Sequence, residues 1–205
     1  LITFKAKGIT PRMFLYKLYQ RALSNKKHIV LPEGTDDRIL TAAQQLIATQ
    51  VVELTLLGNR DEIASKILQL DLDLDLDKIH IVNPTESDNF EDYALTLYEL
   101  RKHKNVNLAM ARDLMEDVSY YGTMMVYKGH ADGMVSGATH TTQHTIRPAL
   151  QFIKTRPGVS VVSSVFFMCL DNRVSIFGDC AINPNPTAEQ LAEIAISSAA
   201  TSEAF

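Results

Sequence analysis

The chain has 205 residues, of which 46% are hydrophobic and 21% are charged, which is the composition of a globular protein rather than a disordered one. Its 20 Lys and Arg residues against 24 Asp and Glu residues give a net charge of −4, so no overall positive field would attract nucleic acid or an acidic membrane. This length permits one large domain, or one domain and part of another.

Neither a membrane span nor a signal peptide is visible, since no apolar run approaches ~18 residues. The two cysteines, Cys169 and Cys180, lack the spacing of a zinc motif or a disulfide framework. We therefore expect a cytoplasmic protein with reduced, buried thiols. The chain begins at Leu1 and ends inside an apolar helical pattern, which predicts that it is cut at both ends.

Strand and helix patterns alternate through the first part of the chain. Thr10 and Pro11 are suited to start a helix, which we expect to run to about Ser24. Alternation of strand and helix indicates a parallel sheet covered by helices. The predicted strands of this part are His28–Pro32, Val52–Gly58 and Ile79–Val82, and the helices between them are capped by residues 34–38 and by Asn59.

Leucine and aspartate alternate strictly from Leu70 to Lys78, which puts the leucines on one side if the segment is extended. A calcium loop of the EF-hand type is excluded, because the segment lacks the glycine at the bend and the terminal glutamate. It is expected to be a solvated strand or linker.

The rest of the chain predicts three helices, a short strand, another helix and then a change of architecture. The helices are Asp88–Lys104, Asn107–Glu116 and Ser119–Tyr127, and the strand is Ala131–Gly137. After Arg156–Gly158, which breaks the next helix, Ser160–Leu170 and Arg173–Phe177 predict an antiparallel hairpin around Asp171-Asn172. Thr187 and Gln190 form a capping box before the last helix. The expected divisions are residues 1–25, 26–157 and 158–205.

The strongest local signal is the segment SGATHTTQHTIRP from Ser136 to Pro148. Gly137 gives conformational freedom after a strand, and the threonines offer hydroxyl and N–H groups where a helix starts, which suits a phosphate. Arg147 could contact its oxygens in a bidentate manner. The alternative is that the threonines are ordinary caps and Arg147 is an ordinary surface residue.

His140 and His144 are four residues apart and could ligate a metal, but no third ligand is apparent. We expect no metal, with His140 as a hydrogen-bonding residue of a pocket and His144 on the helix surface. The dinucleotide fingerprint, the P-loop and the serine nucleophile elbow are all missing from the sequence.

Five segments together resemble phosphate acetyltransferase, in the right order and over nearly the whole chain. They are VLPEGTDDR (30–38), YELRKHK (98–104), DGMVSGATHTTQHTIRPALQFIKTRPG (132–158), VSSVFFM (162–168) and GDCAINPNPTAEQLAEIAI (178–196). The resemblance implies transfer of an acetyl group between CoA and phosphate with no cofactor or metal. It also implies a three-layer αβα fold like that of isocitrate and isopropylmalate dehydrogenases, with two domains around a cleft, incomplete in this chain.

The resemblance further implies roles for individual residues. Arg101 and Arg147 match the family's catalytic arginines of the cleft. The remaining matches are substrate-binding positions: Ser136, Gly137, Thr139, His140 and Thr141 beside the phosphate, and Asn183 with Pro184 in a loop of the second domain.

The family's Ser-Arg-Gly stretch and its thiol-activating aspartate do not occur up to Phe205, so the 205 residues alone are expected to be inactive. The implied partners are CoA, acetyl phosphate and phosphate, and a homo-oligomer is implied as well. The alternatives are a phosphate butyryltransferase, and a dehydrogenase or non-catalytic ligand-binding protein of the same fold.

Overall fold

A computed structural model describes residues 9–205, which divide into two compact units. The first, called here the sheet unit, is Ala22–Lys154. The second, called the hairpin unit, joins residues 9–21 to Thr155–Phe205. No helix in the described part of the chain is long and apolar enough to cross a membrane.

The sheet unit is a four-stranded parallel sheet with helices on both faces. The strand order is β3-β2-β1-β4, and the pairing includes Ile29 opposite Leu54 and Val30 opposite Met134. The helix α1 (Pro11–Ser24) begins in the hairpin unit and precedes the elements of the sheet unit. Those elements are β1 (Lys27–Leu31), α2 (Asp37–Thr49), β2 (Val52–Leu57), α3 (Arg60–Gln69), β3 (His80–Val82), α4 (Phe90–Arg101), α5 (Leu108–Glu116), α6 (Val118–Tyr127), β4 (Gly133–Met134) and α7 (Thr142–Pro148). The expected parallel α/β architecture is confirmed.

Two apolar clusters, which share the strands β1 and β2, form the core of this unit. One contains Val30 and Leu57 together with residues of α4, α5 and α6, and the other contains Leu31 and Leu54 together with residues of α2 and α3. Because successive residues of a strand point to opposite faces, each strand contributes to both clusters, and its apolar run needs no alternation. The sheet is therefore anchored on both sides, which makes its edges rigid supports for loops.

The aspartate-leucine segment is a linker that ends in a short 3-10 turn at Leu76–Lys78. Leu74 is buried and joins the cluster of α2 and α3, while Asp71, Asp73, Asp75 and Asp77 are exposed. The alternation therefore orients the segment as expected, without forming a strand.

The hairpin unit contains β5 (Val165–Cys169) and β6 (Val174–Gly178), which pair antiparallel, and α8 (Ala188–Ala204). The predicted turn at Asp171-Asn172 and the predicted capping box at Thr187 and Gln190 are both present. Phe14 of α1 stacks on Phe167 with ring centroids 5.2 Å apart. The expectation of two buried thiols is wrong for Cys169, which is exposed because it ends β5 beside the turn; Cys180 is half-buried.

Candidate functional site

The loop after β4 meets the loop after β1 at one edge of the sheet. These two strands are parallel neighbours, so the segments that follow them leave the sheet at the same end, where the carboxyl ends of the strands lie. Glu33 follows β1 by two residues, and residues 135–141 follow β4. An edge of this kind, where the order of strands reverses, is the usual ligand-binding place of open parallel sheets.

A single carboxylate, that of Glu33, organises the predicted anion-binding turn. Its two oxygens accept hydrogen bonds from four consecutive backbone N–H groups, at 2.9 Å from Gly137, 2.8 Å from Ala138, 2.7 Å from Thr139 and 2.8 Å from His140. The hydroxyl of Thr139 and Nδ1 of His140 donate to Oε1 at 3.0 and 2.9 Å. The Glu33 side chain is only 1% exposed.

These donors decide the ionisation of Glu33. Burial alone would raise its pKa, but the backbone N–H groups of His140, Thr139, Ala138 and Gly137 stabilise the charged form and together lower the pKa from 4.5 to about 2. The N–H groups of the turn therefore bind an anion that is part of the protein, the Glu33 carboxylate. The expectation that these N–H groups hold a substrate phosphate is thus corrected, because they are already satisfied.

Two further features hold this turn in place. Gly137 has a φ of +117°, a conformation that residues with a Cβ rarely adopt. Arg38 donates to the carbonyl oxygen of Ala138 and is itself held by Asp36, at 3.0 Å from Nε and 2.9 Å from Nη2. The turn is consequently fixed from its N–H side and from its carbonyl side.

Helix α7 begins directly after this turn. Thr141 is its N-cap, and the Thr141 hydroxyl accepts a hydrogen bond from the N–H of His144 at 3.2 Å. Ser136 and Thr145 share a hydrogen bond of 3.3 Å between their hydroxyls. Arg147 is exposed in the last turn of the helix. The turn thus places Thr141, His144 and Arg147 at intervals of three residues along one side of α7.

Arg101 and Arg147, which are 46 residues apart in the sequence, both act on the hydroxyl of Tyr120. Burial raises the pKa of Tyr120, and the positive charges of Arg147 and Arg101 oppose that rise. Tyr120 donates to Oε1 of Gln151 at 3.1 Å, and Nη1 of Arg101 donates to the Gln151 carbonyl oxygen at 3.4 Å. The structure therefore brings the two predicted arginines to one place.

Both guanidinium groups retain free donors. The Nε atom of Arg101 is buried and has no hydrogen-bond partner. The arginines with carboxylate partners include Arg38, Arg60 and Arg112, whereas within residues 9–205 neither Arg101 nor Arg147 forms such a pair. Positive charge without a protein counter-ion is what an anionic ligand requires.

One cavity is lined by His140 and a second by His144, and the two cavities differ in the charged side chains that line them. The first, about 620 Å³, contains Glu33, Asp36, Asp37 and Glu62, and its Arg38 and Lys66 are paired with Asp36 and Asp37. The second, of about 340 Å³, is lined by Asp113, Leu114, Asp117, Tyr120, Thr141, Gln143, His144 and Arg147. Only the second offers an unpaired cation, so it is the better place for an anion.

Asn183 and Pro184 lie in the hairpin unit, where a second carboxylate organises their loop. Asp179 accepts hydrogen bonds from the backbone N–H and from Nδ2 of Asn183, both at 2.7 Å, and from the Ser164 hydroxyl at 2.7 Å. Burial opposes ionisation of Asp179, yet the donors of Ser164 and Asn183 hold its pKa below the usual range. Nδ2 of Asn183 also donates to the Val162 carbonyl oxygen at 2.8 Å, so the Asn183 amide shapes its own loop.

The two histidines have carboxylate partners rather than forming a metal site. Nδ1 of His140 bonds Glu33, and Nε2 of His144 bonds Asp117 at 2.8 Å. Within the part of the chain that the structure describes, no group of three or more His, Cys, Asp or Glu side chains could hold a metal ion. His140 is a hydrogen-bonding residue, as expected, and His144 is more engaged than its predicted surface position implied.

Sequence reasoning missed four residues that organise these loops: Glu33, Asp117, Tyr120 and Asp179. Glu33 had a signal, since a carboxylate directly after a buried strand is expected at the ligand-binding edge of a parallel sheet. Asp117 had the signal of a helix N-cap, which it is for α6. Neither signal names the partner on another element.

Comparison with known proteins agrees with the motifs. The family model described as "Phosphate acetyl/butaryl transferase" matches residues 13–205. A phosphate acetyltransferase from Synechocystis sp. is 60% identical over 205 residues, which is 100% of this chain and 29% of that protein. One from Corynebacterium glutamicum is 51% identical over 197 residues, which is 96% of this chain and 59% of that protein. The chain thus spans less than two thirds of the length of these relatives.

Solved structures give the same answer for the fold. A phosphotransacetylase from Streptococcus pyogenes superposes with a TM-score of 0.84 at 41% identity, covering 92% of this chain and 57% of that one. The EutD phosphotransacetylase from Staphylococcus aureus has a TM-score of 0.82 at 44% identity, with 91% and 57% covered. On the match over residues 13–205 and these identities, the chain belongs to the phosphate acetyl/butyryl transferase family.

Proposed function

We propose that the protein transfers an acetyl group between CoA and phosphate, interconverting acetyl-CoA plus phosphate with acetyl phosphate plus CoA. One observation carries the proposal: Arg101 and Arg147 act on the same tyrosine hydroxyl and have no carboxylate partners within residues 9–205. The names of the relatives, which are phosphate acetyltransferases, agree with it.

The chemistry needs positive groups at two points. Phosphate carries two charges near neutral pH, and a guanidinium matches two of its oxygens at once. Attack on the acetyl carbonyl creates an oxyanion, which fixed hydrogen-bond donors stabilise. Arg147 and Thr141 line one cavity and are proposed to hold the phosphate, while Arg101, with its free buried Nε, is proposed to serve the second purpose.

The turn from Ser136 to His140 has a different proposed role from the one its sequence suggested. Its backbone donors serve Glu33, so it is proposed to act as a rigid wall that positions Thr141 and α7 beside the phosphate. Asn183 and Pro184 remain proposed substrate contacts of the hairpin unit. Because both Asn183 donors already have protein acceptors, its Oδ1 atom is the group proposed to contact substrate.

Within the parallel α/β architecture, we also propose a three-layer αβα arrangement like that of isocitrate and isopropylmalate dehydrogenases, with domains 26–157 and 158–205. The parallel sheet with helices on both faces supports it. A cytoplasmic location and a homo-oligomer are proposed from the family resemblance.

The test is an assay of the protein at its full natural length for CoA-dependent consumption of acetyl phosphate. Robust formation of acetyl-CoA is expected, with butyryl phosphate used more slowly. Arg147→Gln should raise the KM for acetyl phosphate about tenfold or more, and Arg147→Lys should restore little of it, because an ammonium cannot make the bidentate contact. Arg60→Gln, which replaces an exposed arginine at the start of α3, is the matched control. Absence of turnover above the blank refutes the proposal.

A further inference from the structure

The histidines before and within α7 form a stacked pair held at both ends by carboxylates. Their ring centroids are 4.7 Å apart with an interplanar angle of 15°. Nδ1 of His140 lies 2.9 Å from Oε1 of Glu33, and Nε2 of His144 lies 2.8 Å from Oδ2 of Asp117. Both rings are therefore fixed in position and in rotation.

The bond to Asp117 also sets the tautomer of His144. The other oxygen of Asp117 accepts hydrogen bonds from the N–H groups of Ser119 and Tyr120, at 2.9 and 3.1 Å, where it caps α6. A carboxylate can only accept, so Nε2 of His144 carries the hydrogen and Nδ1 presents a lone pair. In the described residues Nδ1 has no hydrogen-bond partner. An aspartate-oriented imidazole with a free nitrogen is the arrangement of a general base.

His144 lies in the cavity that contains the unpaired Arg147. Thr141, His144 and Arg147 line it from α7, and the titratable groups opposite are Asp113 of α5 and Asp117 and Tyr120 of α6. The His140 ring is stacked on the His144 ring. A proton acceptor and a phosphate-binding cation thus share a volume of about 340 Å³.

We propose that His144 is the general base that takes the proton from phosphate when phosphate attacks acetyl-CoA, with Asp117 as its positioning residue. The inference rests on the proposed acetyl transfer and assigns the group that activates the phosphate, which is a task separate from activation of the CoA thiol.

The proton of hydrogen phosphate moves to Nδ1 of His144, and the freed oxygen lone pair forms a bond to the acetyl carbonyl carbon. The carbon–sulfur bond then breaks, and sulfur leaves with the bonding electrons as the CoA thiolate, which takes its proton from the group that activates the CoA thiol in the opposite direction. The imidazolium, stabilised by Asp117, returns its proton to water. The net result is acetyl phosphate and CoA, with one proton moved from phosphate to sulfur.

The test compares three variants of the full-length protein in the direction from acetyl-CoA and phosphate. His144→Ala should lower kcat about 100-fold or more while the KM for phosphate changes less than about threefold, since general-base catalysis acts on the transition state. Added imidazole should restore roughly tenfold of the lost rate in a saturable manner. Asp117→Asn keeps a good N-cap for α6 but offers an amide to Nε2, so it should lower kcat about tenfold or more. His80→Ala, on β3, is the control.

Three results would overturn the inference. One is a His144→Ala enzyme with a kcat within about threefold of the parent, far less than the roughly 100-fold or larger contribution of a general base. Another is a loss of rate that imidazole does not relieve. If His144→Ala does not fold, His144→Gln takes its place, because glutamine can still bond Asp117 but has no basic nitrogen. Full activity of His144→Gln is the third result. Normal turnover by the parent separates these failures from failure of acetyl transfer itself.

Discussion

Glu33→Gln isolates the contribution of the buried carboxylate to the sheet unit. The substitution keeps size and shape, but its Nε2 donors would face backbone N–H groups that now donate to a carboxylate oxygen. The fall of the Glu33 pKa from 4.5 to about 2 corresponds to about 3 kcal/mol of stabilisation at neutral pH. We therefore expect Glu33→Gln to lower the free energy of unfolding of the sheet unit by about that amount.

The sign of the pH dependence follows from the lowered pKa. A carboxylate whose pKa is lower in the folded state contributes its full stabilisation above the unfolded pKa, here 4.5, and loses it as the pH falls towards about 2. Other acidic groups titrate in the same window, so the informative quantity is the difference between parent and Glu33→Gln. That difference should be constant above pH 5 and should shrink between about pH 4.5 and pH 2.

Hydrogen exchange is the suitable assay, because the chain has two compact units and need not unfold in one step. Peptides that cover residues 137–140 should lose protection in Glu33→Gln, and those that cover β1 and β2 should lose protection equivalent to about 3 kcal/mol. Glu53→Gln is the control, since Glu53 is exposed on β2 and should change stability by less than about 0.5 kcal/mol. Equal protection in Glu33→Gln and Glu53→Gln would refute the stabilisation of residues 137–140 by the Glu33 carboxylate.

Three other predictions concern single features of the loops and caps. Gly137→Ala should destabilise the sheet unit by about 1–2 kcal/mol because alanine is strained at a φ of +117°, visible as a lower thermal midpoint, whereas Gly133→Ala, where φ is not positive, should cost less. Asp179→Asn should speed hydrogen exchange in residues 180–183, since the amide replaces only one of two accepting oxygens; unchanged exchange would contradict this. Thr187→Ala should lower the free energy of unfolding of the hairpin unit by about 1 kcal/mol through loss of the N-cap of α8, and Thr187→Ser should not. Equal urea midpoints for the two variants would show that the cap does not stabilise this unit.

Local structure followed closely from the sequence. The parallel strands, the antiparallel hairpin at Asp171-Asn172 and the caps at Thr10 and Thr187 lie where the patterns predicted them. These features depend on residues within a few positions of one another, and periodicity and turn chemistry report on such distances. Strand length was less well predicted: β4 has two residues rather than the seven of Ala131–Gly137, since its pairing with β1 covers only Gly133–Met134.

The site required tertiary structure. The sequence indicated an anion at the turn after Ser136 and could not indicate that Glu33, 104 residues before Gly137, supplies it. That pairing arises because β4 lies beside β1 and leaves the sheet at the same edge, and strand order is not written in any local pattern. The approach of Arg101 and Arg147 to Tyr120, and the bond between Asp117 and His144, have the same origin. The sequence by itself determined which segments become strands, helices and capped turns, because those depend on near neighbours. Which charged side chains meet was decided only by the fold, because it sets the distances between residues far apart in the chain.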